Sequence, residues 1–143
     1  METMSDTYTL PAPPALFLSF GADPSVLMIA DSSGTALYTF DPHVSPGNAM
    51  SAVHLMNIVL RQPSVMNWVI AIAGTFGTDQ SFGYRPGSFS TKIIEAAFAG
   101  DVANQAKLAE SFPEIVAAVQ VWQNVYGSPD LFETAIKDSW VLA

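Results

Sequence analysis

Pro63-Ser64-Val65-Met66-Asn67-Trp68-Val69-Ile70-Ala71-Ile72-Ala73 is the stretch on which the architecture turns. With Ser64 as a cap, Val65, Met66, Trp68, Val69 and Ile72 read as a helix; taken as an unbroken apolar run, Trp68 to Ala73 read as a strand buried on both faces. The strand is the preferred reading, and it makes everything from residue 15 to residue 73 the sheet-bearing half of the chain.

Upstream, Leu16 to Phe20, Val26 to Ala30 and Ala36 to Phe40 are short apolar runs. Gly21, Asp23 and Pro24 separate the first two, and Ser32-Ser33-Gly34-Thr35 precedes the third, so three strands joined by tight turns are expected. The near-continuous apolar character of the first two predicts a central strand. Asp41, Pro42, Ser45, Pro46 and Gly47 then break the pattern, and Asn48 is placed to cap a helix from Ala49 to about Arg61, ended by Pro63. Residues 1 to 14, with Pro11, Pro13 and Pro14, form an extended lead-in to a single domain over 15–143.

Downstream, residues 74 to 88 read as a loop carrying Gly74, Gly77, Gly83, Pro86 and Gly87. Ser88 then caps a helix to Ala99 with Phe89, Ile93, Ile94, Ala97 and Phe98 on one face, and Gly100 stands where a left-handed terminus is wanted. Asp101 caps Val102 to Ser111. Pro113, with Ser111 and Glu114 at capping-box spacing, opens a helix striped by Ile115, Val116, Val119, Trp122 and Tyr126. Gly127 stops it, and Ser128-Pro129 begins a last helix with Leu131, Phe132, Ala135 and Ile136. The expected fold is α+β: a small, mainly antiparallel sheet in the N-terminal half, packed with about four short helices in the C-terminal half. The runner-up is an all-helical C-terminal half with a vestigial hairpin.

The run Arg85-Pro86-Gly87-Ser88-Phe89, the amphipathic helix it opens, Gly100 to Leu108 and Ser111-Phe112-Pro113-Glu114-Ile115-Val116 together resemble a segment of small accessory proteins of actinobacterial tailed phages. The likeness spans Arg85 to Trp122. It implies a phage origin and brings no catalytic residues.

Composition narrows the chemistry. Five Lys and Arg against 13 Asp and Glu leave a net charge of −8 in 143 residues, so nucleic-acid binding lacks the cations that would neutralise phosphates. The acids run from Glu2 to Asp138 rather than massing on one face, which argues against a DNA mimic. With no cysteine there is neither a disulfide framework nor a thiolate site. Met1 to Thr9 carries Glu2 and Asp6 where a signal peptide would be basic and then apolar, and the apolar run Val69 to Ala73 is far short of the ~20 residues of a membrane span. The expected setting is the cytoplasm, of a host cell if phage-encoded, or the virion.

Asp31, with Asp23 and Asp41, has the residue type for a Mg²⁺ site. Yet Asp31 and Asp41 would lie about 16 Å apart at ~3.3 Å per strand residue, and Asp31 before Ser-Ser-Gly is a natural turn opener. His43 and His54 lack metal-ligand spacing, and no G-x-S-x-G elbow places a nucleophile. Gly74-Thr75-Phe76-Gly77-Thr78 lacks the lysine of a phosphate loop and reads as a turn. No metal or cofactor is expected. Phe76, Phe82, Tyr84 and Arg85, aromatic and arginine side chains on a long connection, are the candidate partner-binding residues. Trp122, Tyr126, Trp140 and Val141-Leu142-Ala143 add apolar surface that would promote homo-oligomers.

The expected function is therefore non-enzymatic, a phage-type accessory protein that binds another protein, such as a host or defence protein, and self-associates. Alternatives are a decoration or connector subunit of the virion, and a small-molecule- or nucleotide-binding protein or small metal-dependent hydrolase.

Overall fold

The computed structural model describes residues 15–23, 25–77, 84–138 and 140. Three strands, β1 (Phe17–Phe20), β2 (Leu27–Ala30) and β3 (Ala36–Thr39), form an antiparallel sheet in the order β1-β2-β3. β2 is central, as its continuous apolar character requires, and Leu27, Ile29 and Ala30 are buried. Phe17 pairs with Ala30 and Phe20 with Leu27, and a bulge between Ile29 and Ala30 shifts the register against β3.

Six helices follow among the described residues: α1 (Pro46–Val59), α2 (Pro63–Phe76), α3 (Ser88–Ala99), α4 (Val102–Ala109), α5 (Pro113–Asn124) and α6 (Ser128–Lys137). The fold is α+β: α3 to α6 are the four helices expected in the C-terminal half, α1 is the one expected from Ala49, and α2 is the helix in excess. The sheet ends at Thr39 because Trp68 to Ala73 are not a strand; they are the middle of α2. The apolar tract has helical length once Phe76 is included, and it is buried on nearly every side, at Val65, Met66, Val69, Ala71, Ile72, Ala73 and Gly74. Pro63 does not merely end α1. It occupies the first turn of α2, where a missing N–H costs nothing. α2 packs on α1, α5 and α6, so its half-buried apolar residues Trp68 and Ile70 and its fully buried Ile72 all find neighbours. Burial of Ile72 alone contributes roughly 1.5–3 kcal/mol.

Several boundaries differ from expectation for local reasons. Ser45, not Asn48, caps α1: its hydroxyl accepts from Asn48 N at 3.2 Å, and Pro46 supplies a preset first turn. Gly87 is the capping residue of α3 and Ser88 already helical, while Gly100 is extended at φ −77° rather than left-handed. Asp101 caps α4 as read, accepting from Asn104 N at 2.8 Å, and α4 stops at Ala109. Phe112, not Ser111, precedes α5, so no capping box forms. Gly127 does adopt the left-handed region, at φ +74°, between α5 and α6.

Among the described residues, the outer edge of β1 is closed at one end only. Gly21 N donates to Val26 O at 2.8 Å, so Gly21, Ser19 and Phe17 direct their main-chain groups towards β2, and Leu16, Leu18 and Phe20 direct theirs outward. At Leu16 the carboxamide of Asn57 on α1 takes the place of a neighbouring strand. Leu16 N donates to Asn57 Oδ1 at 3.0 Å and Asn57 Nδ2 donates to Leu16 O at 2.9 Å. Replacing Asn57 by leucine strands both groups, and the expected cost is about 1–3 kcal/mol, read as a lower urea midpoint at unchanged slope.

Candidate functional site

α2 does not stop at Gly74. It runs on to Phe76, so the expected 74–88 loop is shortened, and Gly74, read as a turn residue, is a buried helical one. Its lack of a Cβ has a visible purpose: a methyl group there would collide with the main chain of Tyr84, which returns directly across the helix. Tyr84 is further fixed by its hydroxyl, which donates to Asn67 O at 3.2 Å on the same helix. Its ring remains 48% exposed, and Arg85 beside it is exposed. Phe76 ends α2 with its ring 5.6 Å from that of Phe98 on α3. Phe82 lies outside the described residues. Of the expected docking residues, Phe76 faces α3 and Tyr84 lies along α2.

Phe76 leads to a surface the sequence reading did not single out. Phe76, Glu95, Phe98, Ala99 and Trp122 line a groove of about 480 Å³. On the other side of Ala99 a second groove, about 550 Å³, is bounded by Ala96, Gly100, Asn104, Lys107 and Leu108. Both are open to solvent and border Ala99, a furrow in two halves near the C-terminus of α3. Its floor is low because residues 96, 99 and 100 have the smallest side chains available, and the helix of its far wall, α4, is held by glutamines. Buried Gln105 donates from Nε2 to Ala97 O at 2.8 Å and to Gln123 Oε1 at 3.2 Å, while its Oε1 accepts from Gln120 Nε2 at 3.3 Å. That satisfied network ties α4 to α3 and α5. Gly100 completes the sharp α3–α4 corner, since a Cβ there would press to 3.2 Å from Ala96 O.

The acidic residues at the strand ends serve their own turns. Asp31 Oδ1 accepts from Ser33 N and Thr35 N, both at 3.0 Å, and from Ser33 Oγ at 2.6 Å. The Ser33 hydroxyl is the main reason the Asp31 carboxyl sits below the usual carboxylate range. Asp23 is lowered likewise, first by Ser25 N and then by its hydroxyl. Asp41 accepts from His43 N at 2.9 Å. Among the described residues no group of three His, Asp or Glu converges as metal ligands. His54 lies on the exposed side of α1, lining a separate shallow groove with Phe17 and Arg61, and His43 is in the turn before α1.

At the other end of the sheet, Tyr38 donates its hydroxyl to Asp130 Oδ2 at 3.2 Å, and Gly127 leaves room for that hydroxyl, which would stand 3.0 Å from a Cβ. Burial, reinforced by the neighbouring Asp130 carboxylate, pushes the Tyr38 phenol up to about 12. An unfolded tyrosine ionises near ~10, so the folded state resists ionisation and this contribution is whole below pH ~10 and lost as pH rises towards 12. The stability of a Tyr38→Phe variant is expected to fall less steeply with pH across that window, and the late part of the wild type's ultraviolet phenolate signal should be missing from the variant.

Trp122 and Trp140 are 7% and 3% exposed, so neither supplies the apolar surface expected near the C-terminus; Trp122 stacks on Phe132 within the core. Tyr126 is half-buried, and Val141-Leu142-Ala143 lie outside the described residues. Among the described residues no helix is long and apolar enough to cross a membrane. Compared with protein-family models, curated proteins and solved structures, the chain matches none.

Proposed function

We propose that this is a binding protein of the phage accessory kind, whose furrow across α3 receives an amphipathic helix of a protein partner. The observation that carries the reading is that two grooves, mostly apolar, border Ala99: small residues there let a second helix approach closely, and Phe76, Phe98 and Leu108 flank them. Glu95 and Lys107 stand at opposite ends of the furrow and would orient a helix bearing complementary charges. The segment that resembles phage accessory proteins, Arg85 to Trp122, covers α3, α4 and most of α5, which supply nearly all of these walls. Aromatic side chains at the rim are of the type that dominates binding energy.

The test uses the tagged full chain, Ala99→Arg, and Val102→Arg as a comparator at an 85% exposed site outside the furrow. A stoichiometric partner captured from host or infected-cell lysate should be held by wild type and Val102→Arg and lost with Ala99→Arg, and a purified complex should repeat the pattern. Equal retention by all three, or no partner at all, would overturn the furrow as the docking site.

A further inference from the structure

We infer that two copies of the chain pair through the outer edges of their β1 strands, forming a continuous six-stranded antiparallel sheet across a two-fold axis at Ser19. This proposal is independent of the furrow on α3. Edge strands are ordinarily protected by charge, proline, bulges or a covering element. From Ala15 to Ala22 the chain has no charged residue, no proline follows Pro14 until Pro24, and the β1–β2 register is regular. Among the described residues the one protection is Asn57, and it covers only Leu16.

That partial cover fixes the register. Leu18 and Phe20 are the β1 residues whose N–H and C=O point outward beyond the Asn57 clamp. An antiparallel partner must therefore set Leu18 against the partner's Phe20 and Phe20 against the partner's Leu18, each pair exchanging two hydrogen bonds. Ser19 then meets its own copy on the axis, where a small side chain fits, and Phe17 lies opposite the partner's Gly21, a large ring against a residue without a Cβ. Phe17 and Phe20 are 52% and 59% exposed, so both have surface to bury.

Charge agrees with this occupant. In a chain of net charge −8, most faces of two copies repel, but between Asp41 and Asp79 the only charged residue is Arg61, and it lines the groove beside Ala15 and Phe17. The register brings Asp23, at the β1–β2 turn, towards that Arg61 end of the partner, acid to base. Met50, His54 and Ile58, one exposed stripe of α1, extend the contact without a carboxylate.

Sedimentation equilibrium of the full chain and disulfide trapping test the proposal. The chain has no cysteine, so Ser19→Cys introduces a single thiol. Non-hydrogen-bonded antiparallel neighbours lie ~4.5 Å apart at Cα, within disulfide reach. Ser19→Cys should become a covalent dimer under mild oxidation at least ten times faster than Ser33→Cys, whose thiol sits on an exposed turn. Phe20→Pro removes an outward N–H and an exposed ring, breaks no bond to β2, and should give a monomer with an unchanged far-ultraviolet circular dichroism spectrum. A wild-type monomer at every concentration up to the millimolar range would overturn the pairing. So would a dimer in which the two cysteine variants cross-link at the same rate.

Discussion

Phe132→Ala is expected to lower stability by about 3–5 kcal/mol, the usual cost of emptying an aromatic site in a closed core. Phe132 has no exposed surface, and its ring stacks on Trp122 with centroids 5.4 Å apart and planes 14° from parallel. The pair joins α6 to α5, so truncation leaves a cavity and also removes the contact that holds the last helix. For a chain of this size the drop corresponds to roughly 6–20 °C in melting temperature. Phe132→Leu, which refills most of the volume, should cost under about 1.5 kcal/mol. Denaturant unfolding followed by tryptophan fluorescence reads both. A cost below 1 kcal/mol for Phe132→Ala would mean that α6 is not seated as described.

The second large effect is one of sign. In the interior of a helix, glycine to alanine ordinarily stabilises by up to about 1 kcal/mol. At Gly74 the same change is expected to destabilise by about 1–3 kcal/mol, because the new methyl meets the main chain of Tyr84 and one of them must move. Gly47, in the first turn of α1 with open space around its Cβ position, is the internal comparison, and Gly47→Ala should be neutral or stabilising. Opposite signs at the two positions, measured by thermal melting, would place Tyr84 against α2. Equal signs would remove it from there, and with it the hydrogen bond to Asn67.

How much of this was legible depends on contrast in the sequence. The three strands stood out because Gly21, Asp23, Ser33 and Gly34 punctuate short apolar runs, and the turn acids then do what short acidic side chains do beside a serine. α2 was illegible for the opposite reason. A helix covered by α1, α5 and α6 is apolar on nearly every side, so the amphipathic period that would distinguish it from a buried strand is erased. The caps divided on smaller matters: Ser45 and Asn48 are both competent, and only Pro46 at the first helical position favours the earlier start. At the candidate site, Phe76 was visible as an aromatic residue near glycines. Ala99 was not, because its contribution is smallness on a surface, which leaves no mark in a single sequence. Trp122 was misplaced since an aromatic residue near the end of a stripe reads alike whether a later helix covers it or not; here α6 does.

The position of α2 in the chain has a consequence for synthesis. Its main neighbours are α5 and α6, beginning at Pro113 and Ser128, whereas α2 itself ends at Phe76. On a ribosome adding about 5–20 residues per second, Val65, Met66, Val69 and Ile72 wait several seconds for the elements that cover them. Over that interval the nascent chain displays its most apolar helix to the surrounding solution. Slower elongation through codons 77–137 should therefore lower the soluble yield, and a chaperone that holds short apolar segments should restore it.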